Sequence, residues 1–300
     1  MRLALGPVQY YWQRTDINHF YETMLSTPLD SIYLGEVVCG KRHALRAPDW
    51  LELAQMLAQM LAEVSDKQIV LSTLTLLESN ADLSWVRKIC SNSKLLVEAN
   101  DMSAVQLLSE ARLPFACGPA VNIYNQHTLA YLMSLGMVRW TVPAEMNSRQ
   151  LAAVLNACEK KPEVELFAYG HMPLAYSARC FTARHLGLDK DNCAYRCMEY
   201  PNGLPLESQE GEALFVINGI QTLSGKPLNL LHHFPQLCER GIDILRLSPQ
   251  WQQMEQVIDA FDRARRGDLH PQLLPPGVDG YWCDHPGLEL IARSGTGTPA

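Results

Sequence analysis

Short apolar runs alternate with amphipathic segments along most of the chain, and the two kinds follow each other in a fixed order. Apolar runs bounded by turn residues read as strands buried on both faces. Segments with apolar residues three and four apart read as helices laid against them. The predicted strands are Leu3 to Gly6, Ser31 to Val38, Gln68 to Leu74, Lys94 to Glu98, Phe115 to Gly118, Met137 to Val142, Val164 to Tyr169 and Ile242 to Leu247. Between and after them, helices are predicted over Ile17 to Leu25, Trp50 to Glu63, Leu77 to Cys90, Asp101 to Arg112, Tyr131 to Leu135, Asn147 to Cys158, Leu228 to Arg240 and Gln252 to Arg266. Asp49 with Glu52, and Asn147 with Gln150, have the spacing of capping boxes.

Strand then helix, repeated with short connections, is the pattern of a parallel sheet. Repeated around a full wheel of strands, it predicts an α/β fold of the (β/α)8 TIM-like barrel class. The pattern breaks after the seventh strand. Pro201-Asn202-Gly203 and Ser224-Gly225-Lys226 are turn signals around the alternating run Ala213 to Ile217, which predicts a small β insertion over about 198–227. Residues 269–289 read as a loop-rich extension and about 292–300 as a flexible tail. The expectation is one barrel domain over 1–300.

Composition fits a single core: 300 residues, 47% apolar and 8% aromatic. The net charge of -7, with no long run of lysine and arginine, argues against nucleic acid as a partner. No stretch approaches the roughly 18 apolar residues of a membrane span. Nine cysteines, an odd number, behind a short apolar amino terminus unlike a secretory signal suggest reduced thiols and a cytoplasmic location.

The cysteines divide by surroundings. Cys90, Cys158 and Cys238 sit on amphipathic helical segments and Cys117 in an apolar strand, so these read as small core residues. Cys180, Cys193 and Cys197 instead follow the seventh strand, and Asp189, Lys190, Asp191, Asn192, Arg196 and Glu199 flank the last two. Thiolates select soft or borderline metals. Structural zinc favours two close pairs of ligands, and only Cys193 and Cys197 form one. A 4Fe-4S cluster tolerates ligands from separate segments. Cys39, ending the second predicted strand, is the best fourth ligand, and His185 or Cys283 could also serve.

Barrel enzymes keep their chemistry at the carboxyl ends of the strands, and Glu36, Glu98, Asn100, Asn122, Asn125, Glu145 and His171 map there. Glu36, His171 and Glu145 are the catalytic candidates; His171 also fits a hydrogen-bonded rim residue. The basic loop with Lys41, Arg42, His43 and Arg46 reads as solvated, with an anion-binding role as the alternative, and Met56 and Met60 read as core filler. No Ser-His-Asp or His-Glu-x-x-His arrangement appears.

Glu165, Phe167, Gly170, Tyr176, Ser177 and Cys180 resemble the signature of the collagenase-like proteins of peptidase family U-32. The likeness extends from Arg2 to about Ile291. Pro173 stands where a family cysteine is expected, Ala178 where the glycine is, and Ala144 where the wider family has arginine before Glu145. Losing that arginine makes the peptidase of the family name a poor expectation. The departures resemble a ubiquinone-biosynthesis branch that works without oxygen in a heterodimer with a homologous partner, UbiU. That resemblance implies a 4Fe-4S cluster on Cys39, Cys180, Cys193 and Cys197. It also implies a part in hydroxylating the aromatic ring of a ubiquinone precursor, with a non-catalytic electron-relay or assembly role as the alternative.

Overall fold

The computed structural model describes residues 1–63 and 65–292. The predicted tail lies, from 293 on, outside the described residues. Seven strands open the barrel: β1 (Arg2–Leu5), β2 (Ser31–Leu34), β3 (Gln68–Ser72), β4 (Leu96–Ala99), β5 (Phe115–Cys117), β6 (Met137–Val142) and β7 (Glu163–Gly170). Helices α1 (Arg14–Leu25), α2 (Ala47–Leu61), α3 (Asn80–Cys90), α4 (Met102–Glu110), α5 (Gln126–Ser134) and α6 (Ser148–Asn156) connect them. After an insertion holding β8 (Pro173–Tyr176), α7 (Phe181–His185), β9 (Leu204–Glu207), β10 (Ala213–Asn218) and β11 (Gln221–Ser224), the chain runs through β12 (Leu228–Asn229) and α8 (Phe234–Glu239). The strand β13 (Ile244–Leu247) and helix α9 (Met254–Arg265) complete the wheel. β13 lies parallel between β7 and β1, and β6 pairs with β7, so eight parallel strands close as a TIM-like barrel.

A buried polar network occupies part of the barrel interior. Tyr33 Oη donates to Glu165 Oε2 at 2.5 Å and accepts from Arg139 Nη1 at 2.8 Å. Arg246 donates from Nε to Glu165 Oε1 at 2.6 Å, its Nη2 lies 2.7 Å from Glu98 Oε1, and its guanidinium stacks over the Tyr33 ring. Two carboxylates and two guanidiniums thus share the space, and each charge has an opposite neighbour. Arg139 and Arg246 sit within apolar strands, where periodicity marks a buried position but not its partner.

Several predicted boundaries move for local reasons. β2 stops at Leu34 rather than Val38. Gly35, at φ +147°, turns there, where a Cβ would stand 2.3 Å from the Ser72 carbonyl oxygen. α2 begins at Ala47, because Asp49 reaches back to the Arg46 amide (2.7 Å) from inside the first turn. Leu228 and Asn229, predicted as helix, pair antiparallel with Gly170 and Tyr169. α8 starts only at Phe234, with Pro235 in the first turn, where a missing amide hydrogen is harmless. The insertion is larger than the predicted 198–227 hairpin: β8 pairs with β11, giving a four-stranded sheet in the order β8, β11, β10, β9. No helix among the described residues is long and apolar enough to cross a membrane.

Candidate functional site

Cys39 leaves β2 on a tight turn built by Glu36, whose Oε1 accepts from the amides of Val38 (2.9 Å) and Cys39 (3.0 Å). Cys180 caps the short helix α7, its Sγ accepting from the Ala183 amide at 3.4 Å. Cys39 and Cys180 rest against one small apolar floor of Val37, Val38 and Ile220. Cys193 and Cys197 flank two successive non-glycine residues in the left-handed region, Ala194 (φ 46°) and Tyr195 (φ 55°). That conformation costs on the order of 1–2 kcal/mol per residue. The Tyr195 ring, edge-on to both Tyr11 and His43, helps hold it.

Arg42 joins these pieces. Its side chain is only 2% exposed, and its charge acts on the Cys197 and Cys39 thiols. It also donates from Nη1 to the Gln9 carbonyl and from Nη2 to Asn218 Oδ1, both at 2.7 Å, and stands 3.5 Å from Glu36 Oε1. Its Nε, buried, has no hydrogen-bond partner among the described residues. Burial works against its charge, but Glu36, Cys197 and Cys39 outweigh that and hold it protonated. The expectation of a solvated basic loop therefore fails at Arg42. Nothing in sequence separated it from Lys41 or Arg46. Lys41 pairs with Asp191, and Lys190 with Glu78, so salt bridges stitch the cysteine loop to the loops after β2 and β3.

Burial pushes the Cys39 thiol up to about 11 and raises that of Cys197, with Arg42 pulling both back down. Both thiols stay protonated at neutral pH until something that binds thiolate displaces the proton. No three of the four sulfurs lie within 4.8 Å of one another. A single tetrahedral zinc would hold its sulfurs about 3.8 Å apart, twice the projection of a roughly 2.3 Å bond. Lys41 and the buried Arg42 place positive charge beside these thiols.

Next to this site is a cavity of about 270 Å³ lined by Thr75, Asn122, Tyr124, Glu145, Pro173 and Tyr176. Tyr124 Oη donates to Glu145 Oε1 at 2.5 Å, and burial together with that carboxylate raises the phenol pKa. Asn122 adopts a left-handed turn (φ 59°) at the cavity, whereas Asn125 caps α5 through the Thr128 amide. Tyr176 also belongs to a buried chain: Gln221 Nε2 donates to Tyr176 Oη (2.8 Å), Asn218 Nδ2 to Gln221 Oε1 (2.8 Å), and Arg42 to Asn218. Hydrogen bonds thus run without a break from the cavity wall to Arg42, whose charge acts on the Cys197 thiol.

The family model described as peptidase family U32 matches residues 19–266. The chain belongs to that family. Over 188 residues, 59% of this chain, it is 27% identical to a protein of Methanocaldococcus jannaschii described as an uncharacterized protease. The match takes in 46% of that relative, so the chain spans about half its length. The solved structure of a U32 peptidase superposes with a TM-score of 0.43 at 13% identity, over 83% of this chain and 93% of that one. A 2,3-dimethylmalate lyase gives 0.41 at 8% identity, over 88% and 83%.

The signature residues of this U32 chain have distinct surroundings. Glu165 is a buried counter-ion inside the barrel, and Tyr176 lies between Gln221 and the cavity. Gly170, at φ +120°, leaves no room for a side chain, since a Cβ there would meet the Ser248 side chain at 2.5 Å. Among the catalytic candidates, Glu36 shapes the Cys39 turn and Glu145 lines the cavity. His171 Nδ1 lies 2.7 Å from the Ser224 carbonyl. A carbonyl only accepts, so Nδ1 carries the proton, and burial, lowering its pKa, keeps the ring neutral. Of the alternative fourth ligands, His185 is exposed at the end of α7 and Cys283 lies against His233.

The core reading holds for Cys90 and Cys117, both buried, while Cys158 is half-buried. It fails for Cys238, which is exposed on α8. Met56 and Met60, 42% and 53% exposed, are not core either. Leu53, Leu57 and Leu61 form the buried stripe of α2, and the methionines stand one position off it.

Proposed function

We propose that this chain is a UbiV-type member of the U32 family, in which Cys39, Cys180, Cys193 and Cys197 hold a 4Fe-4S cluster. It takes part, with a UbiU homologue as partner, in hydroxylating the aromatic ring of a ubiquinone precursor without molecular oxygen. The observation that carries the reading is the hydrogen-bond chain from Tyr176 in the cavity wall to the buried Arg42, whose charge acts on the Cys197 and Cys39 thiols. When bound, an all-cysteine cluster supplies one-electron transfer, since its irons have no open position.

The chain's own residues bind and orient. Arg42 offsets negative charge at the thiolates, and the floor of Val37, Val38 and Ile220 keeps water from one side of the site. At the cavity, Glu145 and the oxygen of Tyr124, whose hydrogen is held by Glu145, present acceptors to hydroxyl groups on a ring. About 270 Å³ is below the roughly 300–1,000 Å³ usual for ligand pockets, so a long ring substituent must lie outside it.

The test is binding of the aromatic precursor to the isolated, iron-loaded chain and to its complex with the UbiU homologue. Binding by the isolated chain that weakens in Glu145→Ala supports a substrate pocket here. Binding by the complex alone, unaffected by Glu145→Ala, moves the pocket to the partner and leaves this chain the electron-relay or assembly role.

A further inference from the structure

A second group of ligating side chains lies apart from the four rim cysteines. His233 ends the turn Leu231–His233 ahead of α8, while Asp279 and Cys283 stand on the extension that follows α9. Asp279 is fully buried, His233 nearly so and Cys283 partly. Their ligand atoms all lie within 4.8 Å of one another, with His233 Nε2 at 2.8 Å from Asp279 Oδ2 and 3.7 Å from Cys283 Sγ. One ring nitrogen carries at most one hydrogen, so a carboxylate and a sulfur converging on it are more than hydrogen bonding needs.

A tetrahedral zinc with bonds of about 2.05 Å to nitrogen and oxygen and about 2.3 Å to sulfur sets sulfur and nitrogen roughly 3.6 Å apart, and nitrogen and oxygen roughly 3.3 Å apart. The first separation is already present, and the second needs the carboxylate to open by about 0.5 Å. The mixed imidazole, carboxylate and thiolate set suits a borderline-soft ion. Asp279 is also oriented from behind, because Oδ1 accepts from the Ile291 amide (2.6 Å) and Oδ2 from the Ala292 amide (3.0 Å). Outer hydrogen bonds of that kind fix a metal-binding carboxylate.

We propose that His233, Asp279 and Cys283 form a zinc site, with its fourth position left to water or an outside ligand, fastening the extension to the segment between β12 and α8. The site is independent of the cluster reading.

The experiment measures zinc by elemental analysis in the purified full chain and uses cobalt(II) as a spectroscopic substitute. About one zinc per chain is expected, with a sulfur-to-cobalt charge-transfer band on substitution. Both should persist in Cys180→Ala/Cys197→Ala, which dismantles the rim thiols, and disappear when Cys283→Ser is added. Absence of zinc from the wild type, or a band unchanged by Cys283→Ser, overturns the proposal. His233→Asn gives a second reading, in which zinc is again lost. Thermal unfolding of both variants shows that they fold, and iron and sulfide, read separately, report on the rim site alone.

Discussion

Arg42, on the loop after β2, sets its buried charge against the thiol of Cys197, which arrives from the insertion after β7. The same guanidinium donates to Gln9 behind β1 and to Asn218 on β10. One buried side chain therefore fastens the barrel rim, the inserted sheet and the cysteine loop together.

Arg42→Ala should cost about 3–5 kcal/mol, because it strands the buried Glu36 carboxylate and opens several hydrogen bonds at once. Arg42→Lys keeps the charge but not the fork, so it should restore part of the stability and little of the iron retention. Urea unfolding and iron content of the two variants check this. Equal iron in the wild type and Arg42→Ala would remove Arg42 from the site.

Inside the barrel, Arg246→Ala leaves Glu98 and Glu165 without their shared cation and should destabilise by about 3–5 kcal/mol. Tyr33→Phe removes only hydroxyl hydrogen bonds and should cost about 1–3 kcal/mol. Denaturant melts of both give the ordering, and similar losses would mean that Arg246 is not the main counter-ion of the two carboxylates.

Cys180→Ala should lose the visible absorption of the proposed cluster, since three thiolates would hold it less firmly. Cys117→Ala and Cys238→Ala should keep full iron, one thiol being sealed in the barrel and the other exposed on α8. Iron analysis of the three variants tests the division, and intact iron in Cys180→Ala would refute the ligand set.

Burial lowers the pKa of His171 below its ordinary value of 6.5, and the Ser224 carbonyl only partly opposes this. A base depressed in the folded state contributes stability that is present above the unfolded pKa and lost as pH falls toward the folded one. Stability should therefore drop on acidification below about pH 6.5, and less steeply in His171→Gln. Melting temperatures through that range, compared between the two proteins, provide the check; parallel curves would exclude the effect.

The barrel was legible because its strands are buried on both faces and its helices on one, so hydropathy alone separates them. What failed is where the chain departs from that rule. Gly35 ends β2 because of a close approach to Ser72, a contact made across the sheet. Leu228 and Asn229 look helical by pattern but are held extended against Tyr169 and Gly170. The thiols stood out because cysteine in a polar loop is conspicuous. Arg42, Gln9, Asn218 and Gln221 did not, since their burial depends on segments far apart in sequence. The trio of His233, Asp279 and Cys283 was hidden for the same reason.

The most direct measurement is iron and acid-labile sulfide per chain after anaerobic purification, for the wild type and Cys39→Ala. The account predicts about four irons and four sulfides in the wild type and their loss in the variant. Zinc without sulfide at the rim thiols, or full iron in Cys39→Ala, would contradict it.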